Sequence, residues 1–395
     1  MISEANQKML SLLGDVLHDR QPSAIDNTKW SEILREMRAQ TVYALPAAYI
    51  DALGLSEQDY SYYRNSILVN RAKFYKVMKA QTAVQAMLDD AGIPSVVIKG
   101  AAAAINYPHP EDRCMGDVDI IVMPQDFLRA YELLLSSGYT ALQTPDNFHR
   151  HIEFHNDNSV EIELHEHFSS SDNSDQNDIL DSLLCSAIPQ RVMTKICDEP
   201  VAILPVIENG LVLLGHINQH FSSGLGLRQI IDWMLYVEQY LDDETWNNTF
   251  ANLADQIGMK RLAMVTTAMC LKYLGMDKDI HWCPYEPICD TFMEYILRHG
   301  NFNRRLDRAS NNTISVLRVF RHPIRGFAFA QKAGLLTWEA CNRHKYLKPF
   351  AWIYQLGRWT VRGIKHGIGI KETRVLSGFA KDEAQLIEGL ELTKK

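Results

Sequence analysis

The residues able to do chemistry gather between positions 99 and 165. Asp117 and Asp119 stand two apart in the run DVDIIV. On a strand this spacing puts both carboxylates on one face, with Val118 and Ile120 on the other. Side-by-side carboxylates repel, and a divalent cation is the usual compensation; Mg2+, a hard ion, prefers such oxygen ligands. In the later run VEIELHEHF, Glu161, Glu163 and His165 share one strand face, and Val160, Ile162 and Leu164 share the other. An acid from this second strand could complete a two-metal site, which activates an attacking oxygen and stabilises a leaving pyrophosphate. Upstream, SVVI runs into Lys99-Gly100 and then AAAAI. A glycine where a strand meets a helix start lets backbone N–H groups approach phosphate oxygens. Lys99 adds a point charge suited to a triphosphate, and Arg113 could add a planar one.

The elements that must hold these residues follow from periodicity. Residues 1–90 read as helical, with one apolar stripe at Leu10, Leu12, Leu13, Val16 and Leu17. A long helix is expected over 64–90, carrying Ile67, Leu68, Phe74, Val77, Met78, Val84 and Leu88 and stopped by Ala91-Gly92 with Pro94 beyond. The pattern then changes to short strands at 95–98, 118–122, 139–142, 152–155 and 160–165, with an amphipathic helix at 125–137 and a turn at Asn156-Asp-Asn-Ser159. Helices return at 206–222, 227–241, 244–256, 259–274 and 288–299. The expected fold class is α+β: a small mixed sheet with flanking helices, wrapped by helices from both ends of the chain. The expected divisions are an N-terminal helical region at 1–90, an α/β core at 91–200, a helical domain at 201–300 and a basic C-terminal helical region at 301–395. Ser169–Gln176, SSSDNSDQ, is the most loop-like stretch.

Strand–Gly–helix, then Asp-hydrophobic-Asp on the next strand, then an acid on a later strand, resembles the polymerase-β-like nucleotidyltransferases. More narrowly, VVIKGAAAAINYPHPEDRCMGDVDIIV followed by VEIELHEHF resembles a bacterial branch of uncharacterised nucleotidyltransferases. That branch shows Lys-Gly, an Arg shortly before Asp-x-Asp, and a strand ending in acid-Leu-His. The likeness extends weakly to HINQHFSSGLGLRQIIDWM. It implies Mg2+-dependent transfer of a nucleoside monophosphate from an NTP to an acceptor. In that scheme Asp117 and Asp119 hold metal, while Glu163 holds a second metal or acts as base toward the acceptor. Lys99 and Gly100 hold the triphosphate, helped by Arg113 and Arg228. The match places the third acid two before His165, which favours Glu163 over Glu161. The sequence departs from the superfamily in having Gly100-Ala101 where Gly-Ser is common and in the sixteen residues between Gly100 and Asp117. These departures motivate a second reading, a non-catalytic nucleotide-binding or scaffold protein that retains the fold.

Other clusters have two readings each. His149, His151, His155, His165 and His167 crowd one hairpin. A zinc site is conceivable there, but no cysteine pattern or H-E-x-x-H supports it, and groove-lining imidazoles are the simpler reading. His216 and His220 lie i,i+4 on one helix, and Arg228 and Asp232 do so on the next. They are either buried packing pairs, with Arg228–Asp232 an intrahelical ion pair, or side chains facing nucleotide or acceptor. Residues 301–375 carry 15 Lys+Arg against 3 Asp+Glu, a balance of +12 that leaves −20 on the rest of a chain whose net charge is −8. Within it, 344–367 interleaves basic residues with Tyr346, Phe350, Trp352, Tyr354 and Trp359. This could meet a membrane surface or a polyanion such as single-stranded nucleic acid, or be an amphipathic helix whose aromatics pack inward.

Composition sets the outer bounds. Of 395 residues, 46% are hydrophobic and 22% charged, enough apolar material for a sizeable core. The negative total excludes a protein that coats nucleic acid along its whole length. Seven scattered cysteines without C-x-x-C read as reduced thiols. The first twenty residues lack a basic and then apolar leader pattern, and no uncharged apolar run reaches the ~18–20 residues of a membrane span. The expected location is therefore cytoplasmic. The acceptor, whether a small molecule, a sugar or a macromolecule, is not legible.

Overall fold

The computed structural model describes residues 2–146, 148, 150–157, 160–169, 175–303, 316, 323–365 and 381–392. Its strands are β1 (Ser95–Val97), β2 (Asp117–Val122), β3 (Thr140–Ala141), β4 (His151–His155), β5 (Glu161–His165), β6 (Val192–Ile196) and β7 (Glu199–Ile203). They form one mixed sheet in the order β3-β4-β5-β2-β1-β7-β6. β2 runs parallel to β5 and β1 parallel to β7; the other neighbours are antiparallel. Five strands match expectation. The β6–β7 hairpin is additional, and it extends the sheet to Ile203. Its turn residues Cys197 and Asp198 both have positive φ, 47° and 67°, a conformation usually signalled by Asn-Gly or Asp-Gly.

Helices α1 (Glu4–Leu17), α2 (Asn27–Ala39), α3 (Glu57–Asp90), α4 (Gly100–Ala104), α5 (Phe127–Ser136), α6 (Asp175–Ala187), α7 (Val206–Gly224) and α8 (Leu227–Tyr240) pack around this sheet. α3 starts earlier than expected because Ser56 caps it, its hydroxyl accepting from the Asp59 N–H, with Glu57 and Asp59 in the first turn. Leu68, counted into its stripe, faces solvent.

Two apolar cores meet at the sheet. On one side Val118, Ile120, Ile152, Phe154, Ile162 and Leu164 pack with Phe74 and Met78 of α3 and Phe127 and Leu134 of α5. The larger core joins α1, α2, α7 and α8 to the helices Lys260–Tyr273 and Ile288–His299 and to Leu386, Ile387 and Leu390 near the C-terminus. The stripe from Leu10 to Leu17 is buried in it, as expected. α7 and α8 approach so closely that a Cβ on Gly210 would lie 2.4 Å from Tyr236. The helix expected at 244–256 is interrupted: five residues, Trp246–Phe250, are π-helical before Ala251–Gln256 resumes α geometry.

Helices Pro323–Thr337 and Ala351–Lys365 pack against each other. Trp359 stacks on Phe329 with centroids 5.6 Å apart, and Trp338 on Tyr354 at 4.8 Å. Several aromatics of the basic region thus fill the seam of this pair. Positions 304–315, 317–322 and 366–375 of the basic region lie outside the described residues, as do 170–174 of the loop-like stretch. Among the described residues, no helix is long and apolar enough to cross a membrane. All seven cysteines are unbridged.

One polar contact ties the N-terminal helix to α8. His18 at the end of α1 places Nδ1 2.6 Å from the Gly14 carbonyl and Nε2 2.6 Å from Glu238 Oε1. With an acceptor at each nitrogen the imidazolium is favoured, and the Glu238 hydrogen bond raises the His18 pKa above 6.5 against the cost of burial. Because the folded value is the higher one, this stabilisation is complete below the unfolded pKa and lost as pH rises through the folded one. His18→Gln should lower the unfolding free energy by ~1.5–3 kcal/mol at acidic pH, the scale of a hydrogen bond to a charged group. Denaturant titrations across the pH range should show the difference from wild type shrinking as pH rises. A pH-independent difference would contradict the assignment.

Candidate active site

The register of three strands assembles the polar face. β2 and β5 align Asp117 with Glu161 and Asp119 with Glu163, and β5 and β4 align His165 with His151 and Glu163 with Glu153. With alternate residues buried in the α3–α5 core, all these side chains project from the other face.

Asp119 sits at the centre, almost fully buried. Its Oδ1 accepts from Lys99 Nζ at 2.8 Å and from His165 Nε2 at 3.0 Å. Burial pushes this carboxyl upward, but the Lys99 ammonium and the His165 bond outweigh it and hold the group well below the usual carboxylate range. The fully buried His165 ring also brings Nε2 within 3.2 Å of Glu163 Oε2. His151 Nδ1 lies 3.4 Å from the same oxygen. Burial, then the neighbouring His165, Arg150 and Lys99, push the His151 pKa down to about 3. Asp117 stands at the mouth, open to solvent on one side. Protein atoms on its other sides, then the charges of Asp119 and Glu163, raise it to about 6. Asp117, Asp119, Glu163 and Lys99 therefore lie together, with Gly100 next to Lys99 at the start of α4.

Lys99 reaches Asp119 from an unusual backbone, with φ 59° and ψ −127°. A non-glycine residue there is strained by ~1–3 kcal/mol, which surrounding structure must offset. The buried ion pair with Asp119 and the fully buried Ala102, Ala103 and Ala104 of α4 supply that offset.

The long connection from α4 to β2 is clamped on both sides. Asp112 receives Arg71 of α3 through Nε at 2.7 Å and Nη2 at 2.9 Å. Next to it, Arg113 points the opposite way and donates Nε and Nη2, both at 2.7 Å, to Asp232 of α8. The Tyr107 hydroxyl donates to Asp232 Oδ1 at 2.7 Å. This corrects two expectations. The Arg113 fork is occupied by a carboxylate and buried, so it is not presented to a triphosphate. Asp232 pairs with Arg113 and not with Arg228, whose Nη1 donates to the Cys114 carbonyl at 2.9 Å.

α7 and α8 form the opposite wall. His216 and His220 stack edge to face at 4.6 Å, and Phe302 stands 4.9 Å beyond His220. Burial, with Lys99 and Arg228 nearby, lowers His220 to about 3; burial and His220 hold His216 well below its ordinary value. Arg150 Nη1 donates to Gln219 Oε1 at 2.9 Å, which ties the α7 wall to the sheet. Lys99 Nζ lies 5.7 Å from the centre of the Phe168 ring. Among the described hairpin histidines, His151 and His165 meet at Glu163. His149 lies outside the described residues. Sequence reasoning had not singled out Arg150, Tyr107 or Asp112.

Residues 26–275, from α2 through the helix Lys260–Tyr273, match the family described as uncharacterised nucleotidyltransferase. A solved structure, an antigenic nucleotidyltransferase-like protein from Paracoccidioides brasiliensis, is similar over 51% of this chain and 93% of that one. The identity is 15% and the TM-score 0.34. No curated protein matches the chain.

The Arg113–Asp232 pair is testable by stability alone. Arg113→Ala leaves the Asp232 carboxylate buried and uncompensated, and should cost ~3–5 kcal/mol in denaturant unfolding. Arg113→Lys should recover only part, because an ammonium cannot reproduce two parallel hydrogen bonds. A loss below ~1 kcal/mol for Arg113→Ala would show the pair to be peripheral.

Proposed function

The chain belongs to the uncharacterised nucleotidyltransferase family, and from that premise we propose that it transfers a nucleoside monophosphate from an NTP to an acceptor. The carrying observation is that Asp117, Asp119 and Glu163 converge around Lys99. The donor set fits Mg2+: carboxylate oxygens from adjacent strands, with Asp117 open to the cleft. Asp117, Asp119 and Glu163 would hold the cation, which when bound supplies charge neutralisation at the phosphates.

The remaining roles belong to the chain. Lys99 is positioned to exchange Asp119 for a phosphate oxygen, since both partners are anionic. Gly100 offers its N–H where a phosphate could approach. Arg228, half-buried beside Cys114 and within electrostatic reach of Asp117, is the second cation proposed for the nucleotide. The acceptor enters between the sheet face and the α7 wall. Rate enhancement comes from positioning and electrostatics, without a covalent intermediate.

Two isosteric variants should separate chemistry from folding. Asp117→Asn and Asp119→Asn should each abolish NTP turnover, since a neutral amide is a poor Mg2+ ligand. Their stabilities should differ without metal. Asp117 has a raised pKa, so its ionisation opposes folding above about pH 6; Asp117→Asn should hold or raise the melting temperature at neutral pH. Asp119→Asn should lower it, because Lys99 loses its buried carboxylate. Full turnover in either variant would remove that carboxylate from the mechanism. A wild type that turns over no NTP under any acceptor condition would leave a scaffold.

Gly100→Ala probes the phosphate contact. The added Cβ would lie 3.8 Å from Met115 Sδ, an ordinary contact. The fold should survive, while NTP affinity measured by calorimetry should fall about tenfold, because the added Cβ would hold the phosphate off the retained backbone N–H. Unchanged affinity would place the phosphates elsewhere.

A further inference from the structure

The geometry points to a nitrogen-ligated divalent-ion site at His151, Glu163 and His165, selective for Zn2+ and Co2+ over Mg2+. One donor atom from each residue lies within 4.8 Å of the others. Glu163 Oε2 is 3.2 Å from His165 Nε2 and 3.4 Å from His151 Nδ1. Ligands held at about 2.0–2.1 Å around a tetrahedral ion stand about 3.3 Å apart. Two of the three edges already have that length, and the third is within 4.8 Å.

Hydrogen bonding alone accounts poorly for this cluster. A neutral imidazole has one N–H. At His165 the nitrogen facing the cluster is Nε2, whose proton serves Asp119 Oδ1 at 3.0 Å; Nδ1 of this buried ring has no hydrogen-bond partner. At His151, Arg150 Nε donates to Nδ1 at 3.3 Å, which marks Nδ1 as the nitrogen bearing the lone pair. A cation bound beside Glu163 Oε2 would take the place of the His165 Nε2 proton and of the Arg150 N–H on His151 Nδ1, so metal binding should release a proton.

The surroundings fit the same reading. Glu153 Oε1 lies 3.8 Å from His151 Nε2, an ion-pair distance and not a hydrogen bond, and places a carboxylate behind this ring. A carboxylate behind a ligating histidine fixes its tautomer and strengthens the ligand. Lys99 already balances Asp119, so Glu163 is the carboxylate of this group still to be neutralised. Two imidazoles and one carboxylate suit first-row transition ions, whereas Mg2+ favours an all-oxygen set. The site stands on its own geometry and shares only Glu163 with the transfer reading.

The test uses the full chain stripped of metal by a chelator. Zn2+ titrated against a chromophoric chelator should bind one ion per chain and resist a large excess of Mg2+. Co2+ should give the intensified visible absorption of low-symmetry coordination. His165→Ala risks unfolding a buried position, so His151→Ala, on a half-buried strand residue, carries the test with its melting temperature checked. It should weaken Zn2+ binding by more than the ~10–100-fold that loss of an outer-shell partner costs, and Glu153→Gln should weaken it within that range. Asp117→Asn should leave it unchanged. Absence of an ion bound more tightly than Mg2+, or an affinity that His151→Ala does not move, overturns the site. Zinc binding without NTP turnover leaves this site standing and removes the transfer reading; turnover with Mg2+ in a protein that binds no Zn2+ does the reverse.

Discussion

Carboxylates gathered on one face of a sheet repel each other, and burying them adds a desolvation cost that only opposite charge and hydrogen bonds can offset. In this protein the buried member, Asp119, is held by Lys99 and His165. Much of the local structure reads as a consequence. Lys99 must leave β1 in a left-handed conformation to reach across to β2. The short α4 that follows packs its alanines into the core and so keeps the lysine aimed. Asp117, farther out, has no comparable partner and is the carboxylate whose ionisation is hindered.

The second constraint is the connection between α4 and β2. A long loop before a site strand would ordinarily leave that strand's first residues mobile. Here two adjacent residues of opposite charge turn in opposite directions: Asp112 takes the guanidinium of Arg71 on α3, and Arg113 takes the carboxylate of Asp232 on α8. The loop is thereby fastened between the helix behind the sheet and the helix across the cleft. That arrangement explains how sixteen residues can separate Gly100 from Asp117 without loosening the site. It also means that the two cores are coupled through ion pairs as well as through apolar packing.

How much was legible in the sequence follows from the range of each interaction. Strand alternation gave the faces of Asp117, Asp119 and Glu163, because period 2 is local. Lys99 was identified as a cation of the site for the same reason, lying at a strand end. The partner of Arg113 was not, since Asp232 lies 119 positions away and nothing local distinguishes a guanidinium aimed at phosphate from one aimed at a carboxylate. The β6–β7 hairpin was missed because Cys197-Asp198 carries no glycine or asparagine to announce a turn with two positive φ angles. The pairing of His151 with His165 was within reach. Ile152 and Phe154 must share a face with Ile162 and Leu164, and only registers that pair odd with odd positions permit it. The four-residue turn over 156–159 would pair 155 with 160 and fail that rule.

The same parity decides what kind of site the sheet can carry. Odd positions of β4 and β5 bear His151, Glu153, His155, Glu161, Glu163 and His165, so every residue on this face of the hairpin is an acid or an imidazole. β2 contributes Asp117 and Asp119 beside them, with the apolar Ile121 opposite His165. Depth and donor type vary independently across this face: Asp119 and His165 are both buried, Asp117 is exposed, and Glu163 and His151 are half-buried. Burying Asp119 as an ion is what calls for Lys99 and the His165 N–H together. The register fixes which side chains go deep, and desolvation then decides which of them must be paired.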